Sequence, residues 1–363
     1  MSSASRVICI AEDRPFCETS LRLLLMSLHR HCGDQRVELF YPPADAAFRS
    51  WLEQFPGINL NLTAVPGAWG WNVKPQALLT LFDRGYDDVL WIDSDVLITG
   101  DFRNLFQHLP DATMVVTEEA LYGYHQDPDG LRARLWGFRV GRCLPFTANT
   151  AVMRATTAHA GLFRRWVSLL ESPEYRDAQR ADWNKRPPHM YGDQDVLTAL
   201  LASEEFAEVP IRFLRRGKEI IQFFGPYGYT VRERLQNVFY GMPPFIHSQV
   251  TKPWLKRSKP KASGRRQSFD ALYLQLSPYT ISSREYRREL PSAEWLNASS
   301  MWARVLRVFG FFYPPLTGLP LAVISDLFAV AKSKLGRDER TRKENFSLAA
   351  ESSRVAAASV ASS

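Results

Sequence analysis

Two carboxylates set two positions apart, Asp93 and Asp95, follow directly on the apolar run Val89-Leu90-Trp91-Ile92. A run of that length reads as a buried strand. If the extended backbone continues through Asp95, its two-residue period turns both acids to the same side, where their oxygens can converge on one cation. Hard divalent ions such as Mn²⁺ and Mg²⁺ favour oxygen ligands of this kind. Strand ends in open α/β sheets are also where ligands bind, so the cation would sit in a cleft. Its expected partner there is a diphosphate.

Paired acids alone are common on protein surfaces, and other segments give this pair its weight. Upstream lies Trp71-Asn72-Val73-Lys74-Pro75-Gln76-Ala77-Leu78. Downstream come Asn149-Thr150-Ala151-Val152-Met153, Gly192-Asp193-Gln194-Asp195-Val196-Leu197, and Ile246-His247-Ser248-Gln249-Val250-Thr251-Lys252-Pro253-Trp254. In this order the segments resemble the retaining nucleotide-sugar glycosyltransferases of the GT-A fold, in particular the family-8 type that includes glycogenin and bacterial lipooligosaccharide galactosyltransferases. The resemblance runs over roughly residues 5 to 255. It implies a metal-dependent transfer of a hexose from a UDP-type donor, and the apolar C-terminal stretch suggests a glycan or lipid-linked acceptor of the cell envelope.

Residue by residue, the resemblance implies that Asp93, Asp95 and His247 hold Mn²⁺ or Mg²⁺ against the donor diphosphate, with an imidazole acceptable to Mn²⁺. Ser94 would lie near the ribose, and Ala11, Glu12 and Asp13 where the base and ribose are held. Lys74 would reach phosphate or sugar, and Asn149 would line the donor site. Lys252 would add positive charge against the leaving diphosphate. Asp193 would bind sugar hydroxyls, Gln194 would lie on the sugar face opposite the leaving group, and Asp195 would assist. An amide is a poor nucleophile, so a front-face path suits this set better than a glycosyl-Gln194 intermediate. The chain departs from the family at Val250, where a glycine is usual, and Lys252 follows His247 by five positions instead of six. Simpler structural roles also fit several of these residues: Asp193 as a helix N-cap, Asn149 in a turn, Lys74 as a solvated lysine, His247 as a core histidine.

The elements that must position these residues alternate strand and helix. Strand-like runs at Val7 to Ala11, Val37 to Tyr41 and Ile58 to Val65 are separated by a helical pattern carrying Leu21, Leu24, Leu25 and Leu28, and by another near 46–55. A helix near 75–82 leads to the strand before Asp93. This rhythm predicts an α/β fold with a mostly parallel central sheet and helices on both faces. Further along, strands are expected at 147–153, 211–214 and 238–247, and helices over 158–170 and 194–201.

Composition bounds the rest. The chain has 363 residues, 45% of them hydrophobic and 12% aromatic, ample for a packed core and contrary to a disordered protein. Cys9, Cys17, Cys32 and Cys143 have neither metal-type spacing nor disulfide-scaffold density, so they read as free thiols. No export signal or N-terminal membrane anchor is recognisable, so a cytoplasmic place is expected.

The net charge of +7 is concentrated, with Lys252, Lys256, Arg257, Lys259, Lys261, Arg265 and Arg266 in one acid-free run. Anionic lipid is a better match than nucleic acid, because the chain downstream turns apolar. Val308 to Ser325 is an uncharged stretch of 18 residues interrupted by Pro314, Pro315 and Pro320. It suits amphipathic pieces lying in the membrane interface, with Trp295, Trp302 and Tyr313 at headgroup depth, better than one spanning helix. The alternative is an apolar helix pair packed on the catalytic domain. The expected organisation is a catalytic domain over 1–255, a basic linker over 256–294, a membrane-associating helical segment over 295–335 and a disordered tail over 336–363. The protein would then sit peripherally on the inner face of the membrane.

Two other functions compete. An apolar strand followed by Asp-x-Asp also resembles the nucleophile motif of haloacid-dehalogenase-type phosphatases. That motif normally opens its fold, whereas about 90 residues precede it here, and Val196 and Leu197 stand where a later acid is needed. A membrane-associated nucleotide-sugar-binding protein without transfer activity is the second. A nucleotidyltransferase is disfavoured, since Ala11-Glu12-Asp13-Arg14-Pro15-Phe16 has no glycine for a triphosphate loop.

Overall fold

The computed structural model describes residues 6–119, 127, 129–223, 228–249, 252–255, 271–297 and 300–334. Its centre is a seven-stranded sheet in the order β3-β2-β1-β4-β7-β6-β8. The strands are β1 Val7–Ala11, β2 Val37–Phe40, β3 Ile58–Asn61, β4 Asp88–Ile92, β6 Met114–Glu118, β7 Ala148–Thr156 and β8 Ile211–Leu214. Neighbours pair in parallel except on either side of β7, which runs antiparallel to β4 and β6. A second sheet, β5-β10-β9, is built from β5 Val96–Ile98, β9 Ile220–Phe223 and β10 Phe245–Ser248. The expected α/β architecture, mostly parallel with helices on both faces, is the one observed.

Both faces of the central strands are buried, which is why they read as unbroken apolar runs. In β1 and β4 the two-residue period sorts side chains cleanly. Ile8, Ile10, Leu90 and Ile92 join one core with the leucines of helix α1, Glu18–Cys32. Val7, Cys9, Val89 and Trp91 join the other with helices α3, Val73–Asp83, α5, Ala160–Leu170, and α7, Asp193–Ala202. Helix α2, Ala46–Leu52, is N-capped by Asp45, and the short helices α4, Leu131–Leu135, and α6, Pro173–Arg180, flank α5 along the chain.

Two local expectations fail. The strand before the paired acids stops at Ile92, and Asp93 to Val96 form a turn closed by Val96 N donating to Asp93 O at 3.1 Å. The chain must leave the central sheet here to enter β5, so an extended backbone through Asp95 is not available. Residues 238–240, read as strand from their apolar and aromatic types, finish helix α8, Val231–Tyr240. Thr230 and Glu233 start that helix as a capping box.

The basic run beyond Leu255 and the tail beyond Lys334 lie outside the described residues. Within the stretch expected to be a linker, Tyr279, Tyr286 and Leu290 are buried in the same core as β1 and α1. Trp295 is partly buried against Trp254 and Tyr279, which places it on the protein core and not at a membrane surface. The C-terminal helices Met301–Phe309 and Leu319–Lys334 flank a short turn of helix, Pro314–Thr317. Ala303, Leu306 and Leu321 pack on Phe223, Tyr273 and Leu276, while Arg234 donates to the carbonyls of Pro314 and Pro315. Their other face leaves Trp302, Phe309, Phe311, Phe312, Leu327 and Phe328 exposed. Among the described residues no helix is long and apolar enough to cross a membrane.

Candidate active site

Three ligand atoms from Asp93, Asp95 and His247 lie within 4.8 Å of one another. Two elements bring them together. The turn after β4 carries both acids, and β10, paired antiparallel to β5, returns His247 opposite Val96. The Asp-x-Asp pair therefore converges through a turn and a second sheet instead of through strand periodicity.

The chemistry of this set fits a divalent cation. His247 Nδ1 lies 2.6 Å from Gln222 Oε1, and the Gln222 amide donates to Glu118 O, so the ring proton sits on Nδ1 and the Nε2 lone pair faces Asp95. Burial pulls the imidazole down to about 4, keeping it neutral and available as a ligand. Asp95 Oδ1 is buried and has no hydrogen-bond donor. An orphaned carboxylate oxygen costs free energy unless something positive meets it. Two carboxylate oxygens and one imidazole nitrogen suit Mn²⁺ and, less specifically, Mg²⁺.

Lys74 sits beside this set, its side chain mostly buried at about 15% exposure and not free in solvent. It donates to Asp93 Oδ2 at 3.1 Å and to Thr150 Oγ1 at 2.6 Å, and lies 3.5 Å from Asp193 Oδ2. Burial works against its charge, but Asp193 and Asp93 together outweigh it, and its pKa rises. Asp93 is held at both oxygens, since Trp91 Nε1 donates to Oδ1 at 2.7 Å. Lys252 presses its ammonium against Asp95 Oδ2, and burial lowers it to about 8.

The segment Gly192-Asp193-Gln194-Asp195 opens helix α7. Gly192 is its N-cap, so Asp193 does not cap the helix; the capping carboxylate is Asp195, which accepts from Gly192 N at 3.1 Å. Its other oxygen accepts from the buried Arg132 at 2.8 Å, and burial raises its carboxyl to about 6 against the pull of that arginine. Asp193 takes Thr150 Oγ1 at 3.2 Å, and Trp166 Nε1 donates to its backbone carbonyl at 3.0 Å. Burial pushes the Asp193 carboxyl up even beside Lys74.

Gln194 is held at both ends of its amide. Asn149 Nδ2 donates to its Oε1 at 3.0 Å, and its Nε2 donates to Glu119 Oε2 at 2.5 Å. Asn149 lies in β7, not in a turn. Glu119 also accepts from Asn149 and Gln249, so three amides converge on one buried carboxylate.

Asp93, Asp95 and His247 line one cleft of about 670 Å³ with Lys74, Lys252, Glu119, Arg132, Asn149 and the 192–195 segment, a volume within the usual range for a small-molecule site. Ala11, Glu12, Asp13 and Ser94 line it as well, with Phe40. Glu12 is tied up by Arg14 and by Ser94 Oγ, which donates to it at 2.5 Å. The sequence reading thus placed its candidates in a single cleft and missed Glu119, Arg132 and Gln222. Glu119 carried a signal, because Met114-Val115-Val116-Thr117 before Glu118-Glu119 repeats the apolar-run-then-acid pattern of Val89 to Asp93.

No protein-family model matches the chain, and no curated protein matches it. Among solved structures it is similar to the glycosyltransferase GlyE of Streptococcus pneumoniae TIGR4, at 18% identity and a TM-score of 0.44, over 78% of this chain and 64% of that one. The bifunctional glycosyltransferase WbbM matches at 14% identity and a TM-score of 0.48, over 69% of this chain and 47% of that one. The galactosyltransferase LgtC, in complex with donor and acceptor sugar analogs, matches at 15% identity and a TM-score of 0.44, over 70% of this chain and 92% of that one. The chain thus spans less than two-thirds of the length of the GlyE and WbbM chains.

Proposed function

We propose that this protein is a metal-dependent, retaining glycosyltransferase that moves a hexose from a UDP-type nucleotide sugar to a glycan or lipid-linked acceptor in cell-envelope polysaccharide synthesis. One observation carries the reading: Asp93, Asp95 and His247 share a cleft with Asp193 and Gln194, and Lys74 joins the two groups. A metal held by the first three residues would supply positive charge to a diphosphate, the group that must leave when a nucleotide sugar reacts.

The chain's own residues account for the rest of the chemistry. Lys252 lends its ammonium to the leaving phosphates, and Lys74 favours the ionised form of Asp193 and holds it beside the sugar. Asp193 accepts hydrogen bonds from sugar hydroxyls. Gln194, locked by Asn149 and Glu119, offers a fixed amide to the reacting ring without strain or motion. The acceptor oxygen bonds to the anomeric carbon as the bond to the phosphate oxygen breaks, and the acceptor's proton passes to that departing oxygen. Retention on this front face is supported by the state of the neighbouring carboxylates. Asp195 is engaged by Arg132 and Gly192, and Glu119 by three amides, so neither stands free as nucleophile or base.

The membrane surface enters through the C-terminal helices. Trp302, Phe309, Phe311, Phe312, Leu327 and Phe328 are exposed there, and a peripheral seat on the inner leaflet would cover them and bring a lipid-linked acceptor to the cleft.

The test is a panel of UDP- and GDP-hexoses assayed for Mn²⁺-dependent nucleotide release, followed by NMR of any transferred linkage. An α-linked UDP-hexose should release UDP and give an α-linked product. No turnover across the panel would end the enzyme reading, and a β linkage would end the retaining one.

A further inference from the structure

Trp183 is a large aromatic residue left 47% exposed inside the cleft, and nothing in the proposed donor chemistry uses it. One face of its indole is stacked on Tyr191, with ring centroids 4.8 Å apart and planes 23° from parallel. Tyr191 immediately precedes Gly192 and Asp193, so the stacked pair stands at the reacting end of the cleft. β1 and β2, which carry Ala11 and Phe40, lie on one side of β4, whereas α7 packs beside β7 on the other. The Trp183 platform is therefore on the side away from the end expected to hold the nucleotide.

The loop that carries Trp183 is built to hold it still. Arg186 donates to Ala181 O at 3.0 Å, to Gln179 Oε1 at 2.5 Å, to Gln179 O at 3.2 Å and to Tyr191 O at 3.0 Å. Gln179 in turn donates to Met190 O at 2.6 Å. One guanidinium thus ties both ends of the 181–191 loop, and Pro187 and Pro188 stiffen the return. A rigid loop that presents an aromatic ring to solvent has already met the ordering cost that a ligand would otherwise impose.

Resting on the glycosyltransferase reading, we propose that Trp183, backed by Tyr191, is the platform for a hexopyranose ring of the acceptor. A pyranose has a face of C–H groups, polarised by the ring oxygens, that matches the electron-rich face of an indole, while its hydroxyls stay free for the polar walls of the cleft. An exposed aromatic pair in a cleft that also carries charged and amide groups is suited to such a ring.

The experiment uses the full-length protein with UDP and Mn²⁺, and lactose, maltose and cellobiose as probes. Saturation-transfer NMR reads contact with the sugar C–H groups, and calorimetry with UDP and Mn²⁺ reads the donor site separately. At least one disaccharide should show saturation on the C–H groups of one ring. Trp183→Ala should weaken that binding by on the order of tenfold, Trp183→Phe should restore much of it, and both should bind UDP as the parent does. A Trp183→Ala protein that keeps the sugar signal, or a parent that binds UDP but none of the disaccharides, overturns the platform while leaving the proposed function standing. A Trp183→Ala protein that loses UDP instead assigns the ring to the donor and also overturns it. If the parent binds no nucleotide, the proposed function fails, and the disaccharide measurement still decides the platform.

Discussion

His247 Nε2 and Asp95 Oδ1 face each other at 3.4 Å as two acceptors with no proton between them. The contact is not a salt bridge, because burial holds the imidazole neutral and Gln222 claims its one proton. Two acceptors so placed are repulsive unless a cation joins them. Gln222→Leu should therefore preserve the strand pairing of β9 with β10 but free the ring to turn or change tautomer. Mn²⁺ affinity, read by electron paramagnetic resonance, should fall by about 10- to 100-fold. An unchanged affinity would show that His247 does not need its orienting partner.

Lys74 ties Asp93 to Asp193, joining the Asp93/Asp95/His247 cluster to the start of helix α7. Lys74→Met removes the charge that favours the ionised form of the buried Asp193. Breaking a buried pair from one side is costly, and the loss should be about 3 kcal/mol at pH 7.5 by urea unfolding. The deficit should shrink toward pH 5 as Asp193 takes up a proton. A deficit that is constant with pH would mean the loss is one of packing alone.

Acid sensitivity follows from two buried histidines. His189 and His247 are each pulled down to about 4 by burial, from about 6.5. A depressed imidazole contributes stability above the unfolded pKa and loses it as pH falls toward the folded one, so the window runs from about 6.5 to about 4. Between pH 7.5 and pH 5 each should cost roughly 2 kcal/mol. Asp195, raised to about 6, acts in the opposite sense over part of the range but is outweighed by the pair. His189→Phe, which keeps a ring edge-on to Trp136, should flatten the pH dependence of the urea midpoint. An unchanged slope would mean that His189 is protonated in the folded state.

The sequence carried the central sheet because β1 and β4 are buried on both faces, which leaves an unmistakable apolar run. It carried the cleft because Asp93, Lys74, Asn149 and Asp193 all sit at or just beyond ends of such elements. The second sheet was not legible. β5, β9 and β10 are short strands joined across more than a hundred residues, and no local period announces such a pairing. For the same reason Gln222 passed unnoticed: a lone amide in Ile220-Ile221-Gln222-Phe223 gains meaning only when β10 brings His247 against it. Val238 to Tyr240 misled because aromatic residues favour strands, although the Thr230-x-x-Glu233 box upstream marked a helix start.

The C-terminal helices pack on the core while leaving apolar side chains exposed, which changes how their proposed membrane role is tested. Ending the chain near Ser300 would uncover Phe223 and Tyr273 and confuse membrane binding with folding. Replacing outward residues avoids this, and Phe309→Ser combined with Leu327→Ser and Phe328→Ser should spare the fold. The parent should pellet with anionic liposomes and resist release by salt, since apolar contact is not screened. The triple variant should remain in the supernatant while its nucleotide-sugar hydrolysis is unchanged. Equal pelleting of the two proteins would remove the membrane surface from the account.

The central claim is that Asp95, with its orphaned oxygen, holds a metal for a nucleotide sugar. Calorimetric titration of UDP-hexose with and without Mn²⁺, for the parent and for Asp95→Asn, tests it most directly. The parent should bind the donor tightly only with Mn²⁺, and Asp95→Asn should lose that metal-dependent increment, by 100-fold or more, while remaining folded. Equal Mn²⁺-dependent affinity in the two proteins would contradict the account.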